Sequence, residues 1–516
     1  MLASRPAPPQ ARRGAWRRVA MAAAASIGLI GRAAPAVEPP SAGAPQGALA
    51  AGLDAVLASK ALRGAQVAAL VVRGEDGAVL FAHDPDRPLV PASNLKLLTA
   101  FASLETWGPA HRFSTEVLAD RAPDAEGSVG WLAVRGGGDP ALTSEELWRL
   151  AADLRLAGLR RVRGPLLLDD GYFDRERWNP TWGEISERAY HAPIGALSAN
   201  YGAFRIDVSP GPRAGTPVRV AVDPPIPYLE ARVRAVTSAP GTPAALGVER
   251  VPDPDREPVL VTGSLPVESE PMSLARRVED PARYAGAVLR LQLAAVGIPV
   301  DGPTRTGVAS EGVHLLSFEG QPLGEIVRLM LKFSSNPIGE TLLKGLGAAA
   351  SGEPGSWTNG VAALRARLAE AGLDPAPLTL HDGSGLSPED RVPPRFLVAL
   401  LRKGMGSFAL GPELVSALPI AGADGTLRHR EAAETGRVRA KSGLLAHAVA
   451  LSGFAEGPGG ERRIFSVLLN GYRCSDEEAM KAADAFATAV AERAEPHATP
   501  TAGEAAAEDR KTAPSP

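Results

Sequence analysis

Three short strings carry the residue types of a serine acyl-transfer site: Ser93-Asn94-Leu95-Lys96, Ser334-Ser335-Asn336 and Lys441-Ser442-Gly443. A serine hydroxyl is a poor nucleophile until a neighbouring base takes its proton. In S-x-x-K at a helix start, positions i and i+3 share a face, so Ser93 and Lys96 can meet. A desolvated Lys96 loses charge and can serve as that base. The helix N-terminus favours negative charge on the serine oxygen and on the attacked oxygen. Ser334 would pass a proton between Lys96 and a leaving amine, and Asn336 would bind a substrate amide. Lys441 and the Ser442 hydroxyl would bind a substrate carboxylate, with Gly443 letting the strand come close to its ligand. The backbone N–H of Leu444, with that of Ser93, would form an oxyanion hole.

A lone S-x-x-K match is a weak signal, so order and setting carry the weight. The run P-A-S-N-L-K-L-L-T-A-F-A-S-L-E buries the turn after Ser93. A second S-x-N string, Ser198-Ala199-Asn200, precedes a strand-like run and reads as an ordinary turn. Ser334 to Asn336 lies between two helical runs, where a short loop can aim a hydroxyl and a carboxamide into one cleft. The alternation V-R-A-K-S-G-L-L makes the third string part of a strand.

These residues must be positioned by several elements in series. Helical periodicity marks residues 52–61, 95–104, 144–157, 281–296, 322–333, 338–346, 360–371, 394–403 and 476–491. Strand patterns mark 66–72 and 79–83 across G-E-D-G, then 113–119, 130–134 and 166–169, with a β-rich stretch at 205–268 and strands again near the end. Between Ser93 and Ser334 lie 241 residues, against 107 between Ser334 and Lys441. This asymmetry predicts one catalytic α/β (α+β) domain interrupted by a long insertion. The expected division is a discontinuous catalytic domain at 49–111 and 304–495, a second domain at 112–208 and 280–303, and a nested β-rich third domain at 209–279.

Composition excludes several classes. Of 516 residues, 45% are hydrophobic and 22% charged, which permits a substantial core. A net charge of −3 gives no basic excess for nucleic acid. The single cysteine, Cys474, excludes an internal disulfide, and eight histidines without H-E-x-x-H or C-x-x-C argue against a metal site. Arg5, Arg12, Arg13, Arg17 and Arg18 precede an apolar run, Val19 to Ile30, and an Ala34-Pro35-Ala36 cleavage pattern. Residues 1–36 therefore read as an export signal, followed by a Pro/Gly-rich linker at 37–48 and, at the far end, a polar tail at 496–516. The protein is expected in the periplasm or cell envelope, with an uncleaved N-terminal anchor as the alternative.

At this point the chain resembles the D-alanyl-D-alanine carboxypeptidase/endopeptidases known as class C low-molecular-weight penicillin-binding proteins, of the penicillin-binding protein 4 type. The likeness runs from about residue 50 to 490. It includes P-A-S-N-L-K-L-L-T-A, G-G-G-D-P-A-L-T, A-P-I-G-A-L-S-A-N, D-P-A-R-Y-A, D-G-S-G-L-S, L-P-I-A-G-A-D-G-T-L and L-S-G-F-A. The resemblance implies a β-lactamase/transpeptidase-like catalytic domain with nested inserted domains. It implies cleavage of D-Ala-D-Ala in peptidoglycan stem peptides, or of D-Ala-diaminopimelate cross-links, through an acyl-enzyme on Ser93 that β-lactam antibiotics also form. It implies no metal and no organic cofactor, and leaves a homodimer and peripheral membrane association open.

It also implies an acidic residue of the inserted domain that reads the diaminopimelate side chain. Glu184 in T-W-G-E-I-S-E-R-A-Y is the counterpart, with a solvated loop carboxylate as the competing reading. Ser335 stands where the family usually has Asp, Ser442 where it has Thr, and Leu444 where it has Thr or Ser. Asp139 in G-G-G-D-P and the 382–385 string D-G-S-G read as turn-formers. Two rivals have distinct signs. A β-lactamase needs a dedicated deacylating base, and no E-x-x-L-N is present. A non-catalytic peptidoglycan-binding protein would carry a broken motif set, whereas all three strings are intact.

Overall fold

A computed structural model of the chain describes residues 47–308, 311–430 and 436–494. The signal at 1–36, all but the last two residues of the linker, and the tail at 496–516 lie outside the described residues. No helix among the described residues is long and apolar enough to cross a membrane.

The catalytic strings hang on an antiparallel five-stranded sheet. Its order is Val438–Leu445, Ala448–Glu456, Arg462–Asn470, Gln66–Arg73, Val79–His83, so the two ends of the chain interleave. The Gln66–Arg73 strand is apolar almost throughout because both faces are covered. The strand period of two sorts its residues. Ala68, Leu70 and Val72 join the core under helices Lys96–Trp107 and Pro394–Gly406. Val67, Ala69 and Val71 join the core under the terminal helices Ala48–Leu57 and Asp476–Glu492.

The insertion builds its own sheets. One has the order Thr304–Thr306, Leu166–Asp169, Leu132–Gly136, Arg112–Ala119, Val313–Pro322. Strands Thr304–Thr306 and Val313–Pro322, assigned from sequence to the catalytic segment, thus pair with inserted strands. The reason is register: Val313–Pro322 runs antiparallel along Arg112–Ala119 from Val313 opposite Ala119 to Pro322 opposite Arg112. The 203–277 stretch is β-rich and forms two further small sheets. Its apolar residues, such as Val259, Val261 and Leu265, share one continuous core with Val117, Leu166 and Val288.

Candidate active site

Ser93 does not stand on the α-helix itself. A 3-10 turn, Ala92–Leu95, precedes the α-helix Lys96–Trp107. In a 3-10 turn side chains at i and i+3 eclipse, which is tighter than the α spacing expected from sequence. Lys96 Nζ accordingly lies 3.0 Å from Ser93 Oγ. Ala92, just before the serine, is held at φ 45°, a left-handed conformation that a non-glycine residue adopts only when its surroundings enforce it.

Two of the enforcing contacts are glycines. A Cβ on Gly443 would sit 2.9 Å from the Pro91 carbonyl oxygen and 3.0 Å from Ala92 Cβ. Gly443 therefore lets its strand close on the serine turn, whereas the sequence reading had it admit ligand. Gly385 has φ 76°, and a Cβ there would collide with the Ala92 carbonyl oxygen. Gly443→Ala is expected to cost about 1–3 kcal/mol as an overpacking change and to slow acylation by spreading the two strings apart. A thermal melt alongside a labelling time course checks both effects.

The second string joins the first through its carboxamide. Helix Leu323–Phe333 ends on Ser334 in the left-handed conformation, φ 57° and ψ 37°, and helix Asn336–Ser351 begins two residues on. Lys96 Nζ donates to Asn336 Oδ1 at 2.7 Å and to the Ser384 carbonyl at 2.8 Å. The Asn336 amide nitrogen in turn donates to the Tyr190 carbonyl of the insertion at 3.1 Å.

Lys96 is fully buried, and that burial pulls its pKa down from the usual lysine value to about 7, with Asp382 and Glu340 opposing the fall. Asn336 Oδ1 and the Ser384 carbonyl can only accept hydrogen bonds. A neutral amine spends its two protons on them, which leaves its lone pair for the Ser93 hydroxyl.

Ser334 faces a different lysine from the one expected. Its Oγ accepts from Lys441 Nζ at 2.8 Å, and Lys441 also donates to the Ser442 carbonyl at 2.6 Å. Lys441 is fully buried and its pKa lies well below the usual range, through burial first and then the charges of Lys96 and Arg430. The Lys441 amine is thus engaged behind the site. The hydroxyl presented beside it is a pair, Ser442 Oγ with Thr426 Oγ1 at 2.8 Å.

Val438–Leu445 is an edge strand. The Ala440 N–H donates away from the sheet to the Pro419 carbonyl at 3.0 Å. The period of two puts the Leu444 N–H on the same outer edge, while its side chain is 46% exposed. Glu184 lies exposed on the segment between Trp182 and Tyr190, the latter being the residue whose carbonyl meets Asn336.

Several participants were not singled out from sequence. Thr426 sits inside L-P-I-A-G-A-D-G-T-L. Glu340 lies in P-I-G-E-T-L-L-K, where a carboxylate interrupts the buried face of a helix, and that interruption was a readable signal. Asp382 was read only as a turn-former; it does form a turn, but one wrapped around a fully buried carboxylate. The rival Asn200 is structural, its side chain bonding Ser144 and the Tyr284 hydroxyl.

Comparison with known proteins gives the family and the fold. A family model described as the D-Ala-D-Ala carboxypeptidase 3 (S13) family matches residues 49–493. A D-alanyl-D-alanine carboxypeptidase of Actinomadura sp. (strain R39) is 37% identical over 460 residues, 86% of this chain and 84% of the relative. The carboxypeptidase DacB of Haemophilus influenzae is 26% identical over 402 residues, 76% of this chain and 82% of that one. The crystal structure of penicillin binding protein 4 from H. influenzae superposes with a TM-score of 0.73 at 24% identity. It covers 84% of this chain and 97% of its own, so the fold is shared.

Proposed function

The chain belongs to the D-Ala-D-Ala carboxypeptidase 3 (S13) family of serine peptidases, and from that premise we propose that Ser93 carries the acyl group. In the proposed cycle neutral Lys96 takes the Ser93 proton while Oγ attacks the carbonyl carbon of the penultimate D-Ala. The tetrahedral oxyanion is held by the N–H groups of Ser93 and Leu444. Collapse breaks the C–N bond, and the proton reaches the departing amine through the Ser334 hydroxyl. Ser334 is held by Lys441 and Asn336 by Lys96, and the leaving amine would sit between these two pairs. Water then attacks the ester, again with Lys96 as base, releasing the shortened peptide and regenerating Ser93.

The observation that supports this reading best is the Lys96 environment: a fully buried amine near neutrality, two obligate acceptors, and Ser93 Oγ at 3.0 Å. The substrate's terminal carboxylate would lie on the Ser442 and Thr426 hydroxyls, with the buried Lys441 amine behind them. Glu184 would meet the amine of the diaminopimelate side chain. The insertion at 112–322 would act as the substrate-reading module of an exported cell-wall enzyme that carboxypeptidase and endopeptidase substrates share, and penicillins would acylate Ser93 in place of the peptide.

Mass spectrometry of purified muropeptides after digestion tests the proposal. Loss of one alanine from pentapeptides marks carboxypeptidase action, and splitting of cross-linked dimers marks endopeptidase action. Unchanged muropeptides together with no penicillin adduct would overturn it.

A further inference from the structure

The site rests on a buried acidic loop to which neither the motifs nor the proposed cycle gives a part. Asp382 is fully buried and accepts five hydrogen bonds. Its Oδ1 takes the N–H groups of Ser384 (3.1 Å) and Gly385 (2.7 Å). Its Oδ2 takes those of Leu386 (3.0 Å) and Ser387 (2.8 Å) and the Trp182 indole N–H (2.8 Å). An ionised carboxylate is acceptor-only, with about four lone-pair sites on its two oxygens, and these five N–H donors fill them. They wind residues 384–387 around it, so the Gly383 and Ser384 carbonyls are aimed outward.

Both aimed carbonyls are caught on one helix. Thr99 Oγ1 donates to the Gly383 carbonyl at 2.7 Å, and Lys96 Nζ donates to the Ser384 carbonyl at 2.8 Å. Behind the loop, the fully buried Glu340 receives the Gly383 N–H (3.1 Å) and the Trp357 indole N–H (2.8 Å). Glu340 belongs to the helix that starts at Asn336, so the same helix supplies the second acceptor of Lys96.

We infer that Asp382 and Glu340 are positioning residues for Lys96, together fixing the Ser384 carbonyl against its amine, with Asp382 supplying the main negative charge that the amine faces. The inference rests on the reading of Lys96 as the base. The titratable groups facing Lys96 are these two carboxyls, from the 380s loop and the Asn336–Ser351 helix, and the Lys441 amine from the edge strand; burial and Asp382 push the Glu340 carboxyl up to about 8. Asp390, buried beside Asp382 and bonded to the His381 N–H, is pushed well up by burial and by Asp382. Asp382, and Glu340 where it is ionised, hold the amine's proton affinity up against burial. Trp182 brings the insertion into the same arrangement, since its indole is one of the five donors.

The test is the rate of acylation by a fluorescent penicillin followed from about pH 5 to 9. Asp382→Asn is expected to lower the plateau by about 10²-fold, as a displaced base does. It should also move the midpoint of the acid limb down by about one pH unit, because a favourable charge beside the ammonium is lost. Glu340→Gln should move the midpoint the same way by less, because its carboxyl, pushed up to about 8, is ionised in only part of the molecules near pH 7, and its amide oxygen can still accept from Gly383 and Trp357. This milder variant decides the matter if Asp382→Asn does not fold.

A merely structural role lowers the plateau and leaves the midpoint in place; that result in the folded variants overturns the inference. Failure of the underlying reading looks different, because a Lys96→Met enzyme would then label at the wild-type rate.

Discussion

Replacing Ser93 with alanine is expected to abolish covalent labelling by penicillin and to cut peptide turnover by about 10⁶-fold, the scale of losing a nucleophile outright. The fold should survive. Ser93 Oγ has its bond to Lys96 Nζ, and losing one such hydrogen bond costs about 1 kcal/mol. The conformation of the turn is imposed from outside, by the packing of Gly385 and Gly443 against residues 91–92, so the hydroxyl is not needed to hold Ala92 at φ 45°. Groups proposed to bind substrate are also independent of it: Asn336 is anchored by Lys96 and Tyr190, and Ser442 by Thr426. The alanine variant should therefore still bind stem peptide without cleaving it. Intact-protein mass spectrometry after incubation with penicillin reads the first effect, and a thermal melt reads the second. A penicilloyl mass on the folded alanine variant would place the nucleophile at another residue.

What sequence could and could not disclose follows from the range of the interactions involved. Strands 66–73 and 79–83 and the helices that frame the Ser334 loop were legible, because their apolar periods are local and strong. The 3-10 turn under Ser93 was not, since P-A-S-N-L-K suits either helix type and the choice is made by glycines some 290 and 350 positions away. Residues 313–322 alternate weakly, with two histidine and glutamate interruptions, and become a strand only because Arg112–Ala119 offers an edge.

The site divides in the same way. Its motif residues were all legible as strings, yet the pairing of Ser334 with Lys441, in place of Lys96, is a long-range fact. Asp382 shows how a correct local reading can be incomplete. Its side chain does cap a turn, and nothing in D-G-S-G-L-S reveals that the turn's carbonyl lands on a lysine nearly three hundred residues earlier.

Lys96→Met carries the second large effect, and its sign can be worked through. The wild-type amine has a pKa of about 7 in the folded protein, lowered chiefly by burial. Acylation by neutral Lys96 should rise with pH through about 7 and level off above it. Methionine has no lone pair to offer Ser93, so acylation should fall by about 10²–10⁴-fold, the span general-base catalysis covers, and the limb near pH 7 should vanish.

Stability should move in the opposite sense. A lysine whose folded pKa lies below its unfolded value binds more protons when unfolded, so wild-type stability climbs as pH rises from about 7 to 10.5. Below that window the wild type carries the full burden of a buried ammonium, on the order of several kcal/mol. The methionine variant escapes this burden and gives up two hydrogen bonds to the Asn336 and Ser384 oxygens, each left unsatisfied at about 1–3 kcal/mol. The two costs are similar in size, so the variant should be near wild-type stability at about pH 6 and less stable than wild type near pH 9. Denaturant melts at those two values measure the difference, and a gap that does not widen with pH would mean that Lys96 keeps its proton in the folded enzyme and cannot be the base.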